Sequence, residues 1–186
     1  MLLLVGLGNP GSNYTNTRHN IGFKIIDAIN AHFKLSKQKP KFKGLLTTGS
    51  IEEKKIYAIK PLTFMNNSGI CIRELIEYFK IDPEDVIVFH DDLDIEFGKI
   101  KAKSGGSSAG HNGIASIDKF IGQDYSRVRI GIGKPKDNME VGDFVLQNFD
   151  EDEMVQLEKI KTNISDSISI LIEKKLDLFS STVNNK

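Results

Sequence analysis

The chain is 186 residues long, 39% hydrophobic and 27% charged, which fits one globular domain over residues 1–186 with enough apolar material for a core. Its single cysteine, Cys71, excludes an intrachain disulfide, and its apolar surroundings predict a buried thiol in a reducing compartment rather than a catalytic one. Because no basic segment precedes the first apolar residues and no apolar run reaches about 18 residues, we expect no secretion signal or membrane span, and therefore a cytoplasmic protein.

The charge is distributed unevenly, although 25 basic and 25 acidic residues leave no net charge. Residues 34–61 and residues 99–136 each contain eight basic and two acidic residues, so each block carries +6. Residues 82–96 contain seven acidic residues and no basic one. If the two basic blocks meet in the fold, they form a face that can bind phosphates; otherwise they are two solvated lysine-rich surfaces.

The first half of the chain predicts strands and helices in alternation. Residues 2–7 are a short apolar run ended by glycines, as in a buried strand, and a polar loop follows. From Ile21, apolar residues recur at helical spacing, with Asn20 as a plausible N-cap. The next predicted elements are strands at about 44–51 and 55–60 and a helix at about 68–79.

The second half continues the alternation. A second buried strand, Val86-Ile87-Val88-Phe89, ends in His90-Asp91-Asp92. The remaining predicted elements are a strand near 99–103, a loop over 104–113, a helix to about 121, a strand over 127–132 and a long helix over about 150–175. Residues 180–186 are expected to form a flexible tail. The predicted class is α/β: a single-domain α/β/α sandwich with a mixed, mostly parallel sheet flanked by helices.

Three polar clusters follow predicted strands, at the edge where α/β proteins gather functional groups. They are Asn9 to Asn20, Met65 to Ser68, and His90 to Asp92. The topology therefore predicts that they converge.

Gly6, Gly8 and Gly11 formally match the glycine fingerprint of dinucleotide-binding proteins. The expected helix does not begin at the third glycine, and no acidic residue stands about 20 positions further on at the end of a second strand. We therefore expect a tight turn that presents Asn9 and leaves room for a substrate backbone, and no cofactor.

His19 lies just before the first predicted helix, where a histidine is most often a surface or capping residue. Ester hydrolysis near neutral pH requires a base that titrates there and a carboxylate that holds its tautomer, and Asp91 offers that carboxylate. No serine or cysteine has a nucleophile-elbow pattern, so water is the expected nucleophile.

A metal site is the other use open to His19, His90, His111, Asp91, Asp92 and Asp94. None of them has the spacing of a known zinc motif, and successive side chains of a strand point to opposite faces. We therefore expect no metal. Asn66 and Asn112 offer amides that suit a peptide backbone or a ribose, but each precedes a helical pattern and could instead cap it.

Six ordered blocks together resemble the bacterial-type peptidyl-tRNA hydrolase family over residues 1 to about 149. They are Gly6-Leu7-Gly8-Asn9-Pro10-Gly11 with Tyr14, Thr17-Arg18-His19-Asn20-x-Gly22, Lys60-Pro61-x-Thr63-Phe64-Met65-Asn66-x-Ser68-Gly69, His90-Asp91-Asp92-x-Asp94, Gly105-Gly106-Ser107-x-x-Gly110-His111-Asn112-Gly113 and Arg127-x-Arg129-x-Gly131-Ile132-Gly133-x-Pro135.

The resemblance implies a monomeric enzyme that needs no cofactor and cleaves the ester between a peptide and tRNA. It assigns His19 as general base and Asp91 as its partner. The residues that it implies in substrate or tRNA binding are Asn9, Tyr14, Asn20, Met65, Asn66, His111 and Asn112. A basic cluster for the terminal phosphate carries over to Lys101, Lys103 and Arg129. Lys101 stands where many relatives have arginine, so bidentate phosphate geometry is lost there while the charge remains.

Two functions from other classes remain open. One is an RNA-binding module whose histidines are structural, and the other is a nucleotide-cofactor-dependent oxidoreductase that uses the glycine fingerprint.

Overall fold

A computed structural model describes residues 1–186 and contains one seven-stranded sheet with helices on both faces. The strands are β1 (Leu2–Gly6), β2 (Lys39–Lys41), β3 (Gly44–Ile51), β4 (Lys54–Pro61), β5 (Val86–Asp92), β6 (Ile100–Ser104) and β7 (Ser126–Gly131). Their order across the sheet is β2-β3-β4-β1-β5-β7-β6. The four neighbours β4, β1, β5 and β7 are parallel, whereas β3 and β6 run antiparallel beside them. The predicted mixed α/β sheet is confirmed.

The helices cover both faces of the sheet, and each face has its own apolar core. They are α1 (Ile21–His32), α2 (Ser68–Phe79), α3 (Asn112–Ile121), α4 (Val141–Val145), α5 (Glu151–Asp166), α6 (Ile168–Ile172) and α7 (Leu176–Asn184). Apolar residues of α1 and α4 to α7 pack on one face of the sheet in a cluster of 27 buried residues. Those of α2 and α3 pack on the other face in a cluster of 17. None of these helices is long and apolar enough to cross a membrane.

The C-terminal region differs from its prediction. The expected helix over 150–175 is interrupted, and the residues after Ser180 continue α7 to Asn184 instead of forming a flexible tail. The reason is the edge strand β6, whose backbone N–H groups at Ala102 and Ile100 donate to the side chains of Ser180 and Asn184 at 2.8 and 2.9 Å. Because α7 satisfies donors that β6 would otherwise expose, its last turns are ordered.

Two of the fingerprint glycines, Gly6 and Gly8, have a different role from the one predicted. A Cβ on Gly6 would lie 2.2 Å from the Gly22 carbonyl oxygen, and one on Gly8 would lie 2.7 Å from the Phe23 ring. A Cβ on Gly22 would lie 2.3 Å from the backbone nitrogen of Leu7. These glycines therefore let α1 pack tightly on β1, and the space expected for a substrate is filled by α1 itself. Gly11, with φ of 109°, does form a turn.

The two basic blocks do not meet. Residues 34–61 lie in β2, β3 and β4 at one edge of the sheet, and residues 99–136 contain β6 and β7 at the opposite edge. They form two separate surfaces, of which only the second lies beside the end of β5.

Candidate active site

The predicted polar clusters converge at the carboxyl ends of the central parallel strands. A cleft of about 340 Å³ lies there, walled by the turn before α1, the end of β5, the loop before α3 and α4. Its wall contains, among others, His19, His90, Asp91, His111, Asn112 and Val145. Asp91, at the end of β5, lies between the two helical layers and contacts both.

The turn that holds His19, Arg18–Asn20, is pinned to the segment before α5. The backbone N–H of Arg18 donates to the Gln147 carbonyl at 3.0 Å, and that of Phe149 donates to Asn16 at 3.1 Å. The Arg18 guanidinium also donates to Glu153 at 2.7 Å and lies 4.7 Å from the centre of the Phe144 ring. The turn that contains His19 is thus held by a part of the chain that sequence analysis did not connect with the site.

Asn20 is buried and lies outside the wall of the cleft. Its side-chain oxygen accepts from the backbone N–H of Asn9, and its amide nitrogen donates to the Asn9 carbonyl, both at 2.9 Å. Asn20 is the N-cap residue of α1, as predicted, but its side chain makes no capping bond to that helix. Asn9 in turn accepts at 2.8 Å from the backbone N–H of buried Met65. The Asn9 amide nitrogen has no partner within the protein, and it remains available to a ligand.

His19 and Asp91 form the pair that the sequence predicted. His19 Nδ1 lies 2.9 Å from each oxygen of the buried Asp91 carboxylate, and Nε2 makes no hydrogen bond within the protein. Burial by itself lowers the pKa of His19, but the charge and hydrogen bond of Asp91 outweigh it, so the pKa lies above its ordinary value of 6.5. Burial acts to raise the pKa of Asp91, but His19 and His111 hold it well below its usual range. The pair thus has an ionised carboxylate that fixes the imidazole tautomer and leaves Nε2 as a base.

His111 makes a second contact to the same carboxylate. Its Nε2 lies 2.8 Å from Asp91 Oδ1, and its ring centre lies 4.9 Å from that of His19. Its Nδ1 accepts from the backbone N–H groups of Gly113 and Ile114 at 3.1 and 3.3 Å. His111, and not Asn112, is therefore the N-cap of α3.

Asn66 and Asn112 do not cap helices and are exposed, with side-chain amides that make no hydrogen bond within the protein. Asn112 lines the cleft, whereas Asn66 lies outside its wall. Tyr14 is half-buried and also lies outside it. The wall of the cleft thus contains His19, Asp91, His111 and Asn112. Asn9, Asn20 and Met65 lie outside this wall and are hydrogen-bonded to one another.

The flanking residues of Asp91 have separate partners. His90 Nδ1 donates to the Asp91 carbonyl at 2.8 Å, and burial lowers the pKa of His90 to about 3, so the ring is neutral. Asp92 accepts from Arg129 at 2.8 Å. The alternation expected for a continuing strand is confirmed, since β5 extends through Asp92.

The three predicted phosphate-binding residues share one face of the β6–β7 ribbon. Lys101 is directly opposite Arg129, and Lys103 is opposite Arg127. Arg127, which was not predicted in this role, is buried and forms an ion pair with Asp118 at 2.9 Å. Arg129 forms an ion pair with Asp92. The two lysines therefore carry the positive charge of this face that has no ion-pair partner. Burial and then the charges of Arg129 and Arg127 lower the pKa of Lys103. The cluster lies outside the cleft wall and adjoins it through Asp92.

His19, Asp91 and His111 also offer ligand atoms within 4.8 Å of one another, a spacing compatible with a metal ion. In the structure these groups hydrogen-bond directly to each other, and the second nitrogen of His111 is engaged by the backbone. A metal would have to replace these bonds, so the geometry favours a hydrogen-bonded cluster.

Sequence analysis missed α4, whose Val141 and Val145 line the cleft. The apolar spacing of Val141, Phe144 and Val145 is helical, but it covers little more than one turn. This signal could have been found, whereas the contact of Arg18 with Glu153 spans 135 positions and has no local signal.

Comparisons with known proteins point to one family. The family model described as peptidyl-tRNA hydrolase matches residues 3–186. The peptidyl-tRNA hydrolase of Pelagibacter ubique is 79% identical over 186 residues, which is 100% of both chains. That of Bacillus subtilis is 46% identical over 160 residues, covering 86% of this chain and 85% of its own. The crystal structure of the Acinetobacter baumannii peptidyl-tRNA hydrolase superposes with a TM-score of 0.91 at 34% identity, covering 99% of this chain and 94% of that one.

The matches extend over nearly the whole chain, and they support hydrolysis and neither of the two alternative functions. The chain belongs to the peptidyl-tRNA hydrolase family.

Proposed function

We propose that this chain hydrolyses the ester between a peptide and the terminal ribose of tRNA, using water activated by His19. The observation that carries the proposal is the orientation of the imidazole. Its Nδ1 is bound to the ionised Asp91, and its Nε2 is the free ring nitrogen at the wall of the cleft. Such a histidine can accept a proton near neutral pH.

In the proposed step, His19 Nε2 takes a proton from water while the water oxygen attacks the ester carbonyl carbon. The imidazolium that forms is stabilised by Asp91, and it then returns the proton to the departing ribose oxygen. The products are a tRNA with a free hydroxyl and a peptide carboxylic acid, which releases its proton to solvent and becomes a carboxylate. A base of this kind contributes about 10² to 10⁴-fold, and an ester is easier to cleave than an amide, so a covalent intermediate is not required.

We propose that side-chain amides with free N–H groups hold the substrate. Asn112 lines the cleft, Asn9 is held against the backbone of Met65, and Asn66 follows Met65 in the chain. We assign these amides to the peptide, the terminal nucleotide and the negative oxygen that develops on the carbonyl. Tyr14 and Met65 are proposed to contact the substrate beside them.

The tRNA itself is proposed to bind along the β6–β7 face. Lys101 and Lys103 provide the free positive charge, and Arg129 contributes although Asp92 shares its charge. Since His19, Asp91 and His111 contact one another within one chain, we propose that the chain acts as a monomer. Peptidyl-tRNA arises where proteins are synthesised, so we place this activity in the cytoplasm.

The test is to incubate the purified chain with tRNA that carries an N-acetylated, radiolabelled amino acid and to measure acid-soluble label. We expect release of label by the parent and a fall in kcat of about 10² to 10⁴-fold for His19→Ala, with little change in KM. His32→Ala, at an exposed histidine of α1, is the matched control. An RNA-binding module would retain the tRNA without releasing label, and that result would reject the proposal.

A further inference from the structure

The mechanism proposed above leaves one contact without a role. Asp91 Oδ1 accepts from two imidazoles, at 2.9 Å from His19 Nδ1 and at 2.8 Å from His111 Nε2. Only His19 is needed as the base. The side chain of His111 is 9% exposed and that of Asp91 is 2% exposed, so this second bond is made in a largely dry environment where it is strong.

The hydrogen bonds of His111 determine which nitrogen carries its proton. Because Nδ1 accepts from the N–H groups of Gly113 and Ile114, that nitrogen has a lone pair, and the proton is on Nε2. Adding a second proton at Nδ1 would break both bonds and place a positive charge at the positive end of α3. His111 therefore presents its Nε2–H to Asp91 as a hydrogen-bond donor.

We propose that His111 is a positioning residue: its Nε2–H fixes the Asp91 carboxylate and draws charge from it, which weakens the hold of Asp91 on the proton of His19. This inference rests on the proposed role of His19 as base. A carboxylate that already accepts one hydrogen bond stabilises a neighbouring imidazolium less. The result is that more His19 is neutral, and therefore able to take a proton from water, at a given pH.

The other charged groups near the pair do not replace this effect. On β5, His90 is neutral, and Asp92 is paired with Arg129. Beside His19, Arg18 is paired with Glu153. Two helices pack on the turn that contains His19. Helix α1 carries Lys24, which donates to Asn16, and α4 carries Asp143. Neither of these charged side chains hydrogen-bonds to His19. Beyond them, Asp94 lines the cleft at 3.6 Å from Lys134. Asp91 is thus the group that acts on His19 directly, and His111 acts on it through Asp91.

Two variants separate the contact with Asp91 from the capping of α3. Asparagine is a favoured N-cap but is too short to reach Asp91, so His111→Asn keeps the cap and loses the donor. Glutamine places an amide near the position of Nε2 and is a poor cap, so His111→Gln keeps the donor and loses the cap. A merely structural role would leave the titration of His19 unchanged in both variants and would appear only as a lower Tm in His111→Gln, which loses the cap.

The experiment is an NMR titration of the His19 ring in the folded protein without substrate, with His32 as internal control. We expect the midpoint of His19 to rise by about 0.5 to 1 pH unit in His111→Asn and to stay near the parental value in His111→Gln. An unchanged or lower midpoint in His111→Asn, or equal shifts in both variants, would overturn the proposal. Because no substrate is used, the result stands apart from any test of hydrolysis.

Discussion

Arg18 immediately precedes His19 and donates to Glu153 at 2.7 Å. This ion pair connects the first turn of α5 to the turn that contains His19. Glu153 also accepts at 2.9 Å from the backbone N–H of Asp150 in the capping box of α5. Both side chains are largely buried, at 10% and 20% exposed. The Glu153 carboxylate thus caps the first turn of α5 and also holds Arg18, the residue next to His19.

We predict that Arg18→Met lowers the free energy of unfolding by about 1 to 3 kcal/mol, because it removes one partner of a largely buried ion pair. It should also lower kcat about 10-fold or more, since a small displacement of His19 misplaces the base. Urea unfolding and steady-state kinetics measure the two effects.

Arg73→Met is the matched control for this change. Arg73 pairs with Glu77 four residues away on α2, with both side chains more than half exposed, so its loss should cost about 0.5 kcal/mol or less and leave kcat unchanged. Equal losses of stability in the two variants would mean that the Arg18 pair does not anchor the turn.

Most of the fold could be predicted because apolar periodicity reports burial. The strand over Val86 to Phe89 and the helix over Ser68 to Phe79 lie where their patterns placed them. The pattern did not reveal the break between α5 and α6 at Ser167. Ile164 and Ile168 continue one apolar face across that residue, so the sequence predicted a single helix. Strand β2, with the exposed sequence Lys39-Pro40-Lys41, has no apolar signal at all.

The site could be predicted in its chemistry but not in its connections. Ester hydrolysis by a histidine base requires a carboxylate that holds its tautomer, and His19 does contact Asp91. No local pattern states that Asn20 holds the backbone of Asn9, or that His111 caps α3 while donating to Asp91. These partners depend on tertiary contacts, so side chains of the same type acquire different roles.

The lysine face of β6 leads to a second prediction. Lys103→Ala should raise KM several-fold and leave kcat nearly unchanged, because contact with a phosphate adds binding that is equal in the ground and transition states. The difference from the parent should shrink as salt is raised, with the salt slope reduced by about 1.

The control for Lys103→Ala is Lys39→Ala, at an exposed lysine of β2 on the opposite edge of the sheet, which should leave KM unchanged. If Lys103→Ala binds normally but turns over slowly at every salt concentration, Lys103 belongs to the chemical step.

A third prediction concerns metal ions. Protein treated with a strong chelator and then freed of it by gel filtration should retain its full kcat, because the nitrogens closest to Asp91 already bond to it directly. Removing the chelator before the assay leaves the Mg²⁺ that folds the tRNA undisturbed. Loss of turnover that zinc or manganese restores would contradict the hydrogen-bonded cluster.

The final prediction concerns pH and Asp91. In the parent, kcat/KM should rise with pH through one ionisation with a midpoint above 6.5, because Asp91 raises the pKa of His19 and only the neutral ring accepts a proton. In Asp91→Asn the charge is lost while burial still lowers the pKa of His19, so the midpoint should fall below 6.5. The plateau should drop by about 10² to 10⁴-fold, since the imidazolium loses its support.

Stability tests the same pair independently of turnover. A raised folded pKa means that the His19–Asp91 contact stabilises the fold fully below the unfolded pKa near 6.5 and that this contribution is lost as the pH rises through the folded value. The parent should therefore exceed Asp91→Asn in unfolding free energy by more at pH 6 than at pH 9. Asp85→Asn, at a partly exposed carboxylate paired with Lys174, should show no such trend. If the difference between the parent and Asp91→Asn were instead constant from pH 6 to 9, protonated His19 would not be paired with Asp91, and the role assigned to this carboxylate would be wrong.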